Sequence, residues 1–251
     1  MIYIVVGVIV LLLLYIILTY LFSDRKIIKS SVLESENITE ENKTVKDDIP
    51  KKPGITDFTI SFWIYIERYG SALGKSGYSI INKDYTGGDF SESNNLFEIS
   101  ADNNKNDLVF KLNTLKSKSL QERLRLENVL LQKWLNVIMT VETRNLDIYL
   151  DGKLEETIVL DSIPNENINE EQCKFMFFKN IEPNDKIVMK ISNIQYLTRK
   201  VAPREAWSIY KEGYKNVGLL GFLASLLSGY QINFTFKKSG EKITSFNLGS
   251  D

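Results

Sequence analysis

The chain has 251 residues, of which 43% are hydrophobic and 25% charged, with 31 Lys+Arg against 32 Asp+Glu, one Cys and no His. The absence of histidine excludes Ser-His and Cys-His catalytic pairs and imidazole metal sites, and a single cysteine, Cys173, excludes an intrachain disulfide and a thiolate zinc site. The net charge of −1 gives no reason to expect a nucleic-acid partner, because that kind of binding needs clustered cations.

The first predicted element is a membrane anchor at residues 1–22. Ile2–Phe22 contains no formal charge, and its 21 residues span a hydrocarbon core of roughly 30 Å at about 1.5 Å per residue. A cleaved signal peptide is disfavoured because a basic n-region and a small-residue cleavage site are missing. Arg25, Lys26 and Lys29 follow the segment, which predicts an outside N-terminus and a cytosolic C-terminal domain. The lipid bilayer is therefore a predicted partner.

Residues 23–56 are predicted as a polar tether. The segment is rich in Ser, Glu, Lys and Asn, and it carries too little apolar surface to form a core. We expect it to be flexible, or ordered only against a partner. Sequons at Asn37, Asn42 and Asn233 would matter only if the domain were lumenal.

Residues 57–251 are predicted as one β-sandwich domain. In Phe58–Ile66 the apolar residues alternate with Thr59, Ser61, Trp63 and Tyr65, which is typical of a strand with one core face. Further strands are predicted at Tyr78–Asn82, Leu96–Ser100, Leu108–Leu112, Leu135–Val141, Leu146–Leu150, Glu156–Leu160, Lys174–Phe178, Ile187–Tyr196, Gln231–Lys237 and Lys242–Leu248. Many short strands with little helical periodicity favour an all-β antiparallel sandwich.

Two short helices are predicted late in the chain. Pro203–Glu212 has proline in its first turn and ends before Gly213. Val217–Leu227 is apolar but too short to cross a bilayer. It can pack on the sandwich or lie in a membrane interface, and the sequence leaves both alternatives open.

Three blocks of the sequence resemble a known family. They are DFTISFWIYI at Asp57–Ile66, QKWLNVIMTVETRNLDIYLDGKLEETIVL at Gln132–Leu160 and KISNIQYLTRKVAPREAWSIYKEGY at Lys190–Tyr214. Their order and spacing resemble the concanavalin A-like lectin/glucanase superfamily, in its laminin-G/pentraxin-like branch. The resemblance implies a jelly roll of two antiparallel sheets. It does not by itself imply sugar binding, because this fold hosts lectins, hydrolases, adhesion modules and structural proteins.

The architecture also resembles that of membrane-anchored virion proteins of large double-stranded DNA viruses. The resemblance rests on the N-terminal anchor, the Asn/Lys/Ile-rich composition and the single sandwich domain. It implies a location in the virion inner membrane with the domain facing the capsid, and other capsid or structural proteins as partners.

Two motifs suggest ligands without completing a known site. Gly70–Ser76 nearly spells a phosphate-binding loop, but one residue is missing between its glycines and a strand follows it. The string Asp102-x-Asn104-x-Asn106 begins like a calcium loop but lacks the later ligands. A looser calcium site at Asp84, Asp89 and Asp102 is an alternative to ordinary turn residues. No cofactor is expected.

Other side chains are candidates for catalysis or partner contact. The carboxylate string of the glucanase branch is absent, and Asp147 and Asp151 lie about 13 Å apart along a strand, so no enzyme activity is expected. A set of aromatic residues can either contact a glycan or protein partner or lie buried under a loop; it comprises Tyr69, Tyr78, Tyr85 and Phe90.

These observations favour one function and leave a second open. The leading hypothesis is a non-enzymatic minor capsid protein that links an inner membrane to the capsid shell through its lectin-like domain. The alternative is a carbohydrate-binding adhesion module displayed on a membrane. A glycan-processing enzyme is the least favoured class.

Overall fold

The computed structural model describes residues 14–15, 25–46, 57–70, 77–85, 95–117, 119–165, 173–182, 185–215, 232–238 and 241–248. Apart from Leu14 and Tyr15, the predicted anchor Ile2–Phe22 lies outside these residues. Within the part of the chain that is described, no helix has the length and apolar character needed to cross a membrane. The chain divides into two units, Met1–Lys215 and Asn216–Asp251.

The first unit is an antiparallel β-sandwich of two sheets, as the sequence predicts. Its strands are β1 (Arg25–Lys29), β2 (Leu33–Glu34), β3 (Thr44–Lys46), β4 (Phe58–Arg68), β5 (Tyr78–Tyr85), β6 (Asn95–Ala101), β7 (Leu108–Asn113), β8 (Leu120–Leu126), β9 (Trp134–Glu142), β10 (Asn145–Leu150), β11 (Lys153–Val159), β12 (Cys173–Phe177) and β13 (Val188–Leu197). Seven strands form one sheet in the order β1-β13-β4-β9-β10-β11, with β2 also paired to β13. The other sheet has the order β3-β12-β5-β6-β7-β8.

The core lies between the two sheets. The apolar residues of β4 point into it as the alternation predicts, with Ile60, Phe62 and Ile64 fully buried. The Phe58 ring stacks on Phe97 of the facing sheet, with centroids 5.5 Å apart. Burial of apolar surface on this scale is the main stabilising contribution to such a fold.

The outer face of β4 is also covered, which the alternation alone does not predict. Thr59 and Ser61 are buried, and Trp63 is only 6% exposed. The cover is a helix, α2 (Pro203–Lys211), which matches the predicted Pro203–Glu212 to within one residue. A shorter helix, α1 (Glu40–Lys43), was not predicted.

The predicted tether differs from the structure over residues 25–46. There β1 pairs with β13 from Arg25↔Leu197 onward, and β3 pairs with β12. The prediction is wrong for this part because a polar strand needs no core of its own when it adds to the edge of an existing sheet. Residues 47–56 of the predicted tether lie outside the described residues.

The remaining strand predictions are confirmed to within a few residues, with one omission. Strand β8 (LQERLRL) was missed because only Leu120, Leu124 and Leu126 are buried while charged residues separate them. Its period is therefore not a clean alternation.

The second unit contains a two-stranded hairpin. Strands β14 (Ile232–Lys238) and β15 (Glu241–Leu248) pair antiparallel, as predicted from the alternating pattern around Ser239-Gly240. The predicted helix Val217–Leu227 lies outside the described residues.

Candidate binding surface

Helix α2 forms one wall of the candidate site. Pro203 occupies its first turn, where the missing N–H costs nothing, and the chain leaves the helix through Gly213 at φ +76°. Ala206 and Ile209 are buried against the seven-stranded sheet, in a small cluster with Ile138, Tyr149, Leu197 and Val201. Other side chains of the helix, Trp207 and Tyr210, lie at the border between the helix and the sheet.

At that border lie six aromatic residues that we call the aromatic surface: Trp63, Tyr65, Trp134, Trp207, Tyr210 and Tyr214. Trp134 and Tyr214 stack with centroids 4.5 Å apart, and Trp134 also contacts Tyr65 at 5.5 Å. Trp63 stacks on Tyr210 at 5.6 Å, and Tyr210 contacts Trp207 at 5.3 Å. Trp63 is buried, the Trp207 side chain is 42% exposed and the other four are partly exposed. Trp63 also contacts Tyr214 edge-on at 6.3 Å, so the rings form a continuous, partly exposed row.

Hydrogen bonds from β13 fix the end of this row. The Ser192 hydroxyl donates to the Tyr214 carbonyl at 2.7 Å, and the Asn193 amide donates to the Gly213 carbonyl at 2.9 Å. These bonds hold the segment after α2 against the sheet, so Tyr214 is placed over Trp134 before any ligand arrives.

Charged groups flank the row beside Tyr65. Lys190, the β13 residue opposite Tyr65, lies 3.1 Å from Glu34 and 3.2 Å from Glu67. Hydrogen bonds to Glu34 and then Glu67 raise the pKa of Lys190 above its ordinary value. On the Trp134 side, Lys133 pairs with Asp151 at 3.2 Å.

Two polar atoms at the base of the row have no hydrogen-bond partner among the described residues. They are Trp63 Nε1 and Asn136 Oδ1, on residues that face each other across β4 and β9. A donor and an acceptor left unsatisfied in this way are costly unless a small hydroxyl-bearing molecule or water binds there. Flat apolar ring faces and a charged rim together suit an amphipathic, hydroxyl-rich ligand.

The predicted contact residues Tyr69, Tyr78, Tyr85 and Phe90 are not part of this surface. Tyr78 is fully buried, and its hydroxyl donates to the Gly70 carbonyl at 3.0 Å. The Tyr69 hydroxyl contacts the Asp102 and Lys105 carbonyl oxygens, and burial raises the pKa of Tyr69. Both hold loops in place. The Tyr85 side chain and Phe90 lie outside what the structure describes.

The suggested calcium ligands are not brought together. Asp84 and Asp102 lie at opposite ends of the β5–β6 pair, about 20 Å apart at roughly 3.3 Å per residue. Asp102 accepts hydrogen bonds from the Asn104 and Lys105 N–H groups and pairs with Arg125 at 2.7 Å. Asp89 lies outside the described residues, among which no cluster of three metal-ligating side chains occurs.

The carboxylates considered for hydrolysis have other roles. Asp147 accepts a hydrogen bond from the Thr157 hydroxyl at 2.7 Å, and Asp151 accepts one from the Asn136 N–H at 2.9 Å. The predicted anchor-flanking residues Arg25, Lys26 and Lys29 lie on β1, where the Lys29 ammonium donates to Asn42 at 2.8 Å.

A comparison with protein families places this architecture. The Laminin_G_3 model, described as the concanavalin A-like lectin/glucanases superfamily, matches residues 42–171, which is 130 of 251 residues. The chain belongs to the concanavalin A-like lectin/glucanase superfamily. The match begins at α1, inside the predicted tether, which agrees with the pairing of β3 to the sandwich. No match was found among curated proteins.

Solved structures with similarity to the chain include botulinum neurotoxin binding domains. The serotype D/C VPI 5993 binding domain is 25% identical, with a TM-score of 0.46, and the match covers 62% of this chain and 36% of that one. The serotype G binding domain is 17% identical, with a TM-score of 0.49 and coverages of 74% and 46%. A neurotoxin type C structure is 24% identical, with a TM-score of 0.45 and coverages of 62% and 36%; that toxin's cell entry depends on two ganglioside molecules. The chain thus spans less than half the length of these structures.

Sequence reasoning missed the aromatic surface as a site, although signals for it exist. The alternation in β4 places Trp63 and Tyr65 on the face away from the core, and Trp207, Tyr210 and Tyr214 recur at helical spacing. What the sequence could not supply is that α2 packs beside β4 and β9.

Proposed function

We propose that this chain is a non-enzymatic binding module that recognises glycans through the aromatic surface and is held on a membrane by Ile2–Phe22. The observation that carries the proposal is the row of six rings bordered by the Lys190–Glu34–Glu67 group. Sugar rings have apolar faces and hydroxyl edges, so they match flat aromatic faces next to charged hydrogen-bonding groups. Membership of a lectin-containing superfamily supports the same ligand class.

The carboxylates next to the aromatic surface support a binding role without glycoside hydrolysis. Glycoside hydrolysis uses two carboxyl groups about 5–9.5 Å apart across a cleft. Beside the aromatic surface, Glu34 and Glu67 both pair with Lys190, and a hydrogen bond from Asn37 and then one from Lys190 lower the pKa of Glu34. A carboxyl with a lowered pKa is a poor general acid, because it is ionised at neutral pH.

The anchor places the module close to the bilayer. Strand β1 begins at Arg25, three residues after Phe22, and it pairs at once with β13. Three residues span at most about 10 Å. With Ile2–Phe22 as the proposed anchor, the sandwich would therefore lie at the membrane surface rather than at the end of a long tether.

The test is glycan retention by the full chain in detergent on a panel of immobilised glycans. Trp134→Ala and Tyr214→Ala should each weaken binding by about tenfold or more, because each removes a ring face and loosens its neighbour. Val159→Ala is the control, since Val159 is 67% exposed and lies at the end of β11 away from the Gly152 turn that contacts Trp207 and Tyr210. Equal retention by the folded Trp134→Ala variant, or no retained glycan at all, would contradict the proposal.

A second candidate function is a structural link between an inner membrane and a capsid shell. Its support is the positive flank formed by Arg25, Lys26 and Lys29, which predicts a cytosolic domain, where a protein lattice is a more available partner than a glycan. The aromatic surface also suits a protein partner, because Trp and Tyr are common at interface centres.

Topology separates the two candidates. Full-length protein made in microsomes is treated with protease and scored for glycosylation at Asn37, which is exposed, and at Asn42, which is partly buried. Digestion from outside without glycans favours the structural link. Protection with a glycan at Asn37 reverses the topology and favours glycan recognition.

A further inference from the structure

Among the described residues, the seven-stranded sheet ends at β1 and β2 on one side and at β11 on the other. Its order runs from β1 to β11, and the described residues place no strand beyond either one. The unpaired N–H and C=O groups of such an edge can pair with a strand of another chain. The two edges of this sheet differ in charge and are both accessible.

The β11 edge is acidic and exposed. Of its seven residues only Ile158 is partly buried, and Leu154 and Val159 are 51% and 67% exposed. Glu155 and Glu156 make no ion pair among the described residues, and with Glu127 they line a cleft of about 400 Å³ beside the strand. Three carboxylates and two large apolar side chains lie at this edge, and the cations there are Lys153 of β11 and Arg125 of the cleft. Because Arg125 pairs with Asp102, Asp107 and Glu122, the edge is acidic overall.

The β1 edge is basic. Its sequence, RKIIK, has three cations and no acid. Ile27 is 40% exposed, and Val32, in the turn that leads to β2, is 39% exposed. Charges on an edge strand ordinarily prevent association with a like edge. Two β1 strands repel each other in this way, as do two β11 strands, whereas β1 and β11 attract.

Strand direction allows the attractive combination. The path β1-β13-β4-β9-β10-β11 contains six strands, and each is antiparallel to the next. Strands β1 and β11 therefore run in opposite directions. A second copy placed beside the first in the same orientation brings its β1 antiparallel to β11, which continues the pattern of the sheet.

We propose that β1 of one copy pairs with β11 of a second copy, so that the chain associates head to tail. Each edge binds the opposite edge of another copy of the protein. Opposite charges and exposed apolar residues on both strands favour this pairing. Such a contact is heterologous, so it closes into a ring or extends as a filament. The proposal does not depend on glycan binding, because the aromatic surface lies on the face of the sheet rather than at its edges.

The test measures self-association of the full chain in detergent micelles by sedimentation velocity over a range of concentrations. The wild type should grow with concentration beyond a dimer. Glu155→Lys/Glu156→Lys makes both edges basic, and Lys26→Glu/Lys29→Glu makes both acidic. Each double variant should weaken association by about tenfold or more.

The decisive variant combines all four substitutions in one chain. It exchanges the charges of the two edges, so a β1–β11 contact regains attraction and association should return, whereas a β1–β1 or β11–β11 contact does not recover. Circular dichroism checks that each variant is folded. Val159→Lys, which changes an exposed side chain, gives a second measurement if a β1 variant fails to fold, and it should also weaken association. A wild type that stays monomeric, or folded variants that associate like the wild type, would overturn the proposal.

Discussion

The Trp134 and Tyr214 rings stack nearly parallel, with centroids 4.5 Å apart and planes 9° from each other. Trp134 belongs to the first position of β9, whereas Tyr214 follows α2, so this contact joins the helical segment to the sheet. The stack brings the aromatic surface together from two distant parts of the sequence. It therefore contributes both to stability and to the shape of the candidate site.

Replacing Tyr214 with alanine should lower the free energy of unfolding by about 1–2 kcal/mol. The substitution removes the stack with Trp134 and the edge contact with Trp63, and aromatic pairs contribute about 0.5–1.5 kcal/mol beyond their buried area. Urea unfolding followed by tryptophan fluorescence measures the change. Tyr214→Phe is the control, because it keeps the ring and should stay close to wild type. An alanine variant as stable as Tyr214→Phe would contradict this role.

Gly152 and Gly213 have nearly the same backbone conformation in different surroundings. Their φ angles are +75° and +76°, where any L side chain costs roughly 1–2 kcal/mol. A Cβ on Gly152 would lie 2.9 Å from Tyr210 Cβ and 3.0 Å from Trp207 Cα, whereas a Cβ on Gly213 meets nothing within 4 Å.

Gly152→Ala should therefore destabilise the protein more than Gly213→Ala, by about 1–3 kcal/mol, because it also pushes α2 away from the hairpin. Thermal and urea unfolding of the two variants give the difference. Equal losses would mean that α2 moves aside at no cost. Glycan retention should fall with Gly152→Ala as well, since Trp207 and Tyr210 belong to the aromatic surface.

The sheet architecture could be predicted from the sequence because alternation reports directly which face of a strand is buried. Phe58–Ile66 is a clear case, since its Phe and Ile residues all face the core. The edge strands could not be predicted in this way. Arg25–Lys29 joins the sheet through backbone pairing with β13, and backbone pairing leaves no hydrophobic period in the sequence.

The sequence predicts where individual residues of the candidate site lie on their strand or helix, but not that they come together. Trp63 and Tyr65 were placed on the outer face of β4, and Trp207 and Tyr210 on a helix, but the contact between them depends on where α2 packs. For Tyr69 and Tyr78 the sequence leaves two alternatives open, contact with a partner or burial under a loop. Their hydroxyls donate hydrogen bonds to backbone carbonyls of nearby loops. The sequence does not predict this role, because nothing in it shows which backbone groups lie near a tyrosine.

The Asp102–Arg125 pair should make stability sensitive to acid. Burial raises the pKa of Asp102, but hydrogen bonds from the Asn104 N–H and from Arg125 outweigh it, so the pKa lies below the ordinary value of 3.8. A carboxyl with a lowered pKa stabilises the folded state fully above its unfolded pKa, and the contribution disappears as the pH falls through the folded pKa.

Asp102→Asn should therefore cost about 1–3 kcal/mol at neutral pH, and the difference from wild type should shrink once the pH falls below about 4. Urea unfolding at a series of pH values measures both. Glu155→Gln, which removes an exposed carboxylate without an ion pair among the described residues, is the control and should stay close to wild type at neutral pH. A difference independent of pH would exclude the ion pair as its cause.

A buried chain of hydroxyls fixes the start of α2. The Thr59 hydroxyl donates to the Arg199 carbonyl at 2.8 Å and lies 2.6 Å from the Thr140 hydroxyl, which accepts a hydrogen bond from the Val201 N–H at 3.1 Å. Since Thr59 uses its proton on Arg199, Thr140 is the donor between the two hydroxyls.

Thr140→Val should destabilise the protein by about 1–3 kcal/mol, because the isosteric side chain leaves the buried Val201 N–H without an acceptor. Thr140→Ser is the control and should lose less, since it keeps the hydroxyl and removes only a methyl group. Urea unfolding compares their stabilities, and hydrogen exchange at the Val201 amide reports the local effect. Faster exchange at Val201 in the valine variant alone is expected; equal exchange in both variants would show that another group satisfies this amide.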